Sequence, residues 1–271
     1  MAANAHDEVQ HDYHLVDPSP WPLMGALSAL LFACGILAYM HPANFGGETV
    51  ANMGAWVIAP GVVAVLLTMF VWWRDVTNEA MQGDHKPVVQ LGIRYGMMLF
   101  IASEVMFFAA FFWAFFDASL FQTWPPEGIE PVEAWDLPLL LTLLLLLSGT
   151  TVTWAHHAVT EKNKTADVIA ALGITVILGI IFTILQVYEY SHLSYGFTDG
   201  IFASTFYMAT GFHGFHVLIG TIFLFICYLR AKRKHFKADH HFGLEAAAWY
   251  WHFVDVVWLF LFICVYWLSV L

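Results

Sequence analysis

Seven apolar runs, each of roughly the length that crosses a bilayer as a helix, constrain this chain more than any other feature. They cover residues 22–40, 54–73, 91–116, 137–157, 166–190, 201–229 and 244–271. A membrane β-strand would instead need about ten residues of alternating polarity, and "LPLLLTLLLLLSG" (137–149) does not alternate. Composition agrees: the chain is 60% hydrophobic and only 11% charged, against about 25% charged in soluble domains. The expectation is an all-α polytopic membrane protein with seven transmembrane helices.

The ten Lys and Arg residues fix an expected orientation. Arg74, Lys86 and Arg94 lie in or beside the second connection, and Lys162 and Lys164 in the fourth. Arg230, Lys232, Arg233, Lys234 and Lys237 lie in or beside the sixth. Basic residues stay on the inner side, so the N-terminus is expected inside and the C-terminus outside. The acidic start, "MAANAHDEVQHDYHLVDPSPWP", lacks the basic n-region of a secretory signal. Cys34, Cys227 and Cys264 fall within spans without a CxxC pair, which reads as packing. A net charge of −11 argues against nucleic acid as a partner.

Polar residues inside the spans are the candidates for chemistry. Glu104, in "ASEVMFFAAFFWAFF", is ten residues from Arg94, about 15 Å along a helix and thus near mid-membrane. Asp255 reaches a similar depth. Such acids are costly in a bilayer and face protein or a water-filled cavity, or stay protonated. A proton relay and a hydrogen-bonded packing role both fit. His213 and His216 are three apart, on one helix face, and His252 and Asp255 repeat that spacing. Two imidazoles and a carboxylate could bind a transition metal, but no tight ligand motif accompanies them. Gly92 and Gly96 form a GxxxG that permits close helix approach. The polar stretch "RDVTNEAMQGDHKPVVQ" (74–90) reads as a long connection separating two helices from five.

In order along the chain stand "WWRDV", "RYGMMLFIASEVMFFAAFFWAFF", "WPPEGI", "LLLLSGTTVTWAHHA", "QVYEYSH", "FYMATGFHGFHVLIGTIFL" and "HHFGLEAAAWYWHFVDVVWLFLF". Together these resemble cytochrome c oxidase subunit III, over nearly all of residues 21–267. Seven spans favour that branch over subunit III of the quinol oxidases, the near alternative. An autonomous proton or ion transporter using Glu104, Asp255 and the membrane histidines is a further alternative from a different class.

The resemblance implies two bundles, helices 1–2 (with the tail, 1–80) and helices 3–7 (81–271), forming a V-shaped cleft that holds lipid. It implies a subunit of an oxidoreductase and proton translocase with no catalytic residue, cofactor or metal of its own. Haem and copper are expected in partner subunits I and II, with cytochrome c met only through the complex. Bound phospholipid is implied at Trp72, Trp73, Glu79, His85, Arg230, Arg233 and His235, while Asn78 stands where some relatives have arginine. The family setting also suggests a proton antenna in the acidic tail, at His6, His11 and His14. A bacterial inner (plasma) membrane is the expected location.

Overall fold

The structure, a computed structural model, describes residues 13, 18–121, 129–130, 132–161 and 164–269; His6, His11 and His14 lie outside them. Among the described residues every regular element is helical apart from one isolated bridge between Lys237 and His240. Seven helical segments are long and apolar enough to cross a membrane. In order the helices are α1 (Trp21–Met40), α2 (Pro42–Phe45), α3 (Glu48–Met53), α4 (Ala59–Gln82), α5 (Pro87–Phe121), α6 (Leu137–Thr160), α7 (Thr165–His192), α8 (Ile201–Lys232) and α9 (Phe242–Leu261). A 3₁₀ turn, Gly54–Ile58, leads into α4, and a π turn, Phe262–Trp267, follows α9.

The long second connection expected from polarity is a correction. Helix α4 continues through Arg74 and Glu79 to Gln82, leaving only residues 83–86 between helices. Charged residues are adequate helix formers; what stops α4 is Gly83, left-handed at φ 94°, whose N–H caps the Glu79 carbonyl. Pro87 then opens α5, where its missing N–H costs nothing. With 35 residues, α5 is about 50 Å long at 1.5 Å per residue, well beyond the hydrocarbon core.

The chain divides into two compact units, 1–92 and 93–271. In the first, α1 and α4 pack along their length. Gly61 is required there, because a Cβ would strike the Phe32 backbone. Ser28 and Thr68 hydroxyls meet at 3.0 Å, and the Trp21 indole donates to Asp75 at 2.8 Å. Little else is covered: only 6% of the α4 span is buried, against 61% of the α9 span.

The core lies in the second unit, where α6, α7, α8 and α9 form a closed ring of neighbours. Trp251 and Trp258, both fully buried on α9, donate their indole N–H groups to Ser148 and Thr142 of α6 at 2.8 and 2.9 Å. These bonds satisfy the polar end of each large apolar ring and lock the α6/α9 register. The second unit's part of α5 joins this ring through long side chains. Phe107 and Phe111 meet Phe212 at 5.2 and 4.9 Å, and Phe108 meets Phe253 at 6.0 Å. A Cβ on Gly92 or Gly96 would meet nothing within 4 Å, so among the described residues no neighbouring helix uses the GxxxG.

Candidate functional site: paired polar groups and a basic helix end

Glu104 lacks a counter-charge in its own helix, and α8 supplies the partner. Its Oε2 lies 2.9 Å from His216 Nε2, with side-chain exposures of 20% and 10%. His216 Nδ1 lies 2.7 Å from the Phe212 carbonyl. A carbonyl only accepts, so Nδ1 carries hydrogen and Nε2 shares a proton with the carboxyl group. The acid is thus not isolated. His213, on the same face, turns elsewhere: its Nε2–H donates to the Val254 carbonyl on α9 at 3.2 Å.

Asp255 is buried, with Oδ2 3.7 Å from His252 Nδ1 and Oδ1 without a hydrogen-bond partner among the described residues. Gly149 of α6 makes room for it, because a Cβ there would collide with Oδ2. His252 Nε2 in turn meets Thr153 Oγ1 at 3.1 Å. Two further pairs had no place in the sequence reading. Glu189 accepts from the Tyr266 hydroxyl at 2.9 Å, both groups buried. Arg94 forks onto Glu245 of α9, Nη2 to Oε2 at 2.9 Å and Nε at 3.1 Å. From sequence Arg94 reads only as an orientation marker; Glu245, a carboxylate in the first turn of α9, is the signal for its partner.

The lipid-contact candidates fall in both units. In the first, Trp72 and Trp73 are exposed on α4, Glu79 is half-buried in its last turn, and His85 follows Gly83 with its carbonyl accepting from Gln90 at 2.9 Å. In the second, Arg230 lies in the last turn of α8, its guanidinium carbon 4.8 Å from the Phe236 ring centroid. Its Nε is buried without a hydrogen-bond partner among the described residues, and so is His235 Nδ1. Arg233 is exposed at the helix end. Burial, then the Arg230 and Arg233 charges, push the His235 imidazole below its ordinary value. This helix end offers donors and positive charge suited to a phosphate oxygen.

A family model described as cytochrome c oxidase subunit III matches residues 11–270. Among similar proteins are those named cytochrome c oxidase subunit 3 from Osphranter robustus, Dugong dugon and Hippopotamus amphibius. Each is 53% identical over 264 residues, 95% of this chain and 97% of the relative. These names carry the cytochrome c rather than the quinol branch. A match along the whole ring of helices and the α5 stretch that holds Glu104 leads to one conclusion: the chain belongs to the cytochrome c oxidase subunit III family.

Proposed function

We propose that this chain serves its oxidase complex without a redox centre of its own, stabilising catalytic subunits I and II, holding phospholipid and supporting proton uptake. Haem, copper and the electrons from cytochrome c belong, in this reading, to those partner subunits. The observation that carries it is that the membrane imidazoles each turn to a different neighbour in the protein and do not converge on one point. His213 is spent on Val254, His216 on Phe212 and Glu104, and His252 on Thr153. His216 has both ring nitrogens engaged, and His213 keeps a bare Nδ1, but among the described residues no group of three His, Cys, Asp or Glu side chains converges on it as a haem-copper or copper site would need.

Lipid holding rests on the half-buried Arg230 and on Arg233 and His235 in one unit, and on exposed Trp72 and Trp73 beside Glu79 and His85 in the other. The division into a two-helix part, 1–80, and a five-helix part, 81–271, belongs to the same proposal. Proton uptake rests on His156, His157, His240 and His241, which cluster where α6 ends and α9 begins, with the His156 and His241 rings 5.7 Å apart. It extends to the tail histidines His6, His11 and His14. The basic connections put this end, and the N-terminus, on the inner side. The chain is a multi-pass membrane protein; the relatives named above are mammalian, which points to a mitochondrial inner membrane instead of the bacterial one expected.

The test is to purify the complex with and without this subunit. Haem spectra and initial turnover should persist, while phospholipid content and endurance fall and turnover declines more steeply above about pH 7. Lost haem bands would overturn the non-redox reading, and parallel pH profiles would remove the uptake role.

A further inference from the structure

Where α6 meets α7 and α8 turns toward α9, a cavity of about 250 Å³ opens, with the Phe236 ring that stacks under Arg230 in its wall. Its floor is apolar, formed by Ala158, Val168 and Ala231, and its mouth carries Glu161, Lys164, Thr165, Lys234 and Lys237. Glu161 is answered within the rim by the Lys164 ammonium and by His157 at 2.9 Å. The Lys164 hydrogen bond holds the Glu161 carboxyl below its usual range. Lys234 and Lys237 remain, and neither is ion-paired among the described residues.

Both are held on fixed backbone. Lys237 and His240 exchange backbone hydrogen bonds at 3.2 and 3.0 Å across a tight turn. Lys234 has φ 58° and is left-handed without being glycine, alone in this among the described residues. Its N–H bonds to the Ala231 carbonyl and that of His235 to the Arg230 carbonyl, the double cap that ends helices on a left-handed residue. Glycine is the usual occupant, since a Cβ is strained there. A lysine kept at a strained position that lines a cavity invites a role for its side chain. The same turn pairs the Leu229, Arg230 and Ala231 carbonyls at the end of α8. Across the mouth, α7 begins at Thr165 with no side-chain cap on its first amides, the positive end of a 28-residue helix dipole. Asp167 in that first turn offsets part of this charge.

We propose that this cavity binds a phosphate monoester or diester group through the Lys234 and Lys237 ammoniums and the Thr165 hydroxyl, with α7's first amides behind them. Its volume is below that of pockets for drug-sized ligands, which suits one compact headgroup or a small phosphorylated metabolite. It uses none of the lipid-contact residues proposed above.

The experiment compares the intact oxidase complex carrying the wild-type chain with Lys234→Gly, Lys237→Gln and the double variant. In one arm, inorganic phosphate and glycerol 3-phosphate are titrated at constant chloride-set ionic strength and followed by ³¹P line broadening. In the other, the complex sits in phosphatidylcholine nanodiscs with or without phosphatidic acid, and native mass spectrometry counts retained lipid. Saturable binding in one arm, weakened about tenfold or more in the double variant, supports the site, and the responding arm names the source. Lys234→Gly relieves backbone strain, so it should assemble at least as well as wild type while binding more weakly. If that variant fails to assemble, Lys237→Gln carries the same comparison. Absence of saturable binding in both arms, or equal binding by the wild type and the double variant, overturns the proposal. So does binding lost in Arg233→Ala but kept in the double variant.

Discussion

The Glu104–His216 pair makes a prediction in which three substitutions must rank in one order. His216 is 8% exposed and its Nδ1 is already pinned to the Phe212 carbonyl, so only Glu104 answers Nε2. Glu104→Gln keeps a donor within reach, exchanging one hydrogen bond for another, at a cost of about 1 kcal/mol or less. Glu104→Leu fills a similar volume but strands Nε2 in an apolar setting of Phe107, Phe108 and Tyr250. A stranded buried polar group costs about 1–3 kcal/mol, roughly 5- to 150-fold in the unfolding equilibrium. Adding His216→Phe removes the stranded atom and offers those rings a further aromatic neighbour, so the double variant should recover much of the loss. Unfolding of the purified chain in mixed micelles at rising dodecyl sulfate, followed by tryptophan fluorescence, gives the ranking. A double variant no more stable than Glu104→Leu would refute the reasoning, as would a Gln variant as damaged as the Leu one. In the assembled complex Glu104→Gln should retain most oxygen consumption. Near-total loss with assembly intact would instead make the carboxyl a proton carrier.

Gly61→Ala should lower stability by about 1–3 kcal/mol, because the new methyl meets the Phe32 backbone; unchanged unfolding in the same micelle assay would contradict the close α1/α4 contact. Arg94→Met leaves the Glu245 carboxylate, 14% exposed, without its cation, and with Arg94 itself 36% exposed the cost should be about 1–3 kcal/mol. Arg94→Lys, which keeps the charge but loses the fork, should cost less, and equal losses would mean that the charge itself is immaterial. For His235 the folded value lies below the ordinary imidazole value, through burial and then Arg230 and Arg233. The unfolded chain therefore binds the proton more readily, so stability falls as pH drops below about 6.5 and is flat above it. His235→Asn should flatten that limb in pH-dependent unfolding, and an unchanged slope would assign it to another group.

The existence of each span was legible because bilayer thickness imposes a minimum apolar length that no tertiary contact can waive. Helix ends were not, because polarity marks where lipid stops, and a helix need not stop there. Arg74, Asp75, Thr77, Asn78, Glu79 and Gln82 are polar yet helical, and the real signals are Gly83 and Pro87. The partner of Glu104 was hidden for another reason. A membrane acid demands a partner, but pattern within one helix cannot say which of the others supplies it.

Depth along each helix narrows that choice. Arg94 and Glu245 meet near the beginnings of α5 and α9, which share a direction in a chain that crosses at every span. Ten residues onward along each lie Glu104 and Asp255, which are therefore nearly level. Level acids on two helices would repel if both were ionised and had only each other for company. Instead Glu104 turns to His216 on α8 and Asp255 to the Gly149 face of α6. Glu189 escaped for the opposite reason: a span ended at residue 190 puts it at the water boundary, where a carboxylate needs no explanation. Helix α7 runs on to His192, and Tyr266 of the π turn after α9 packs over the acid. A span drawn one helical half-turn too short was enough to disguise a buried acid as a surface one.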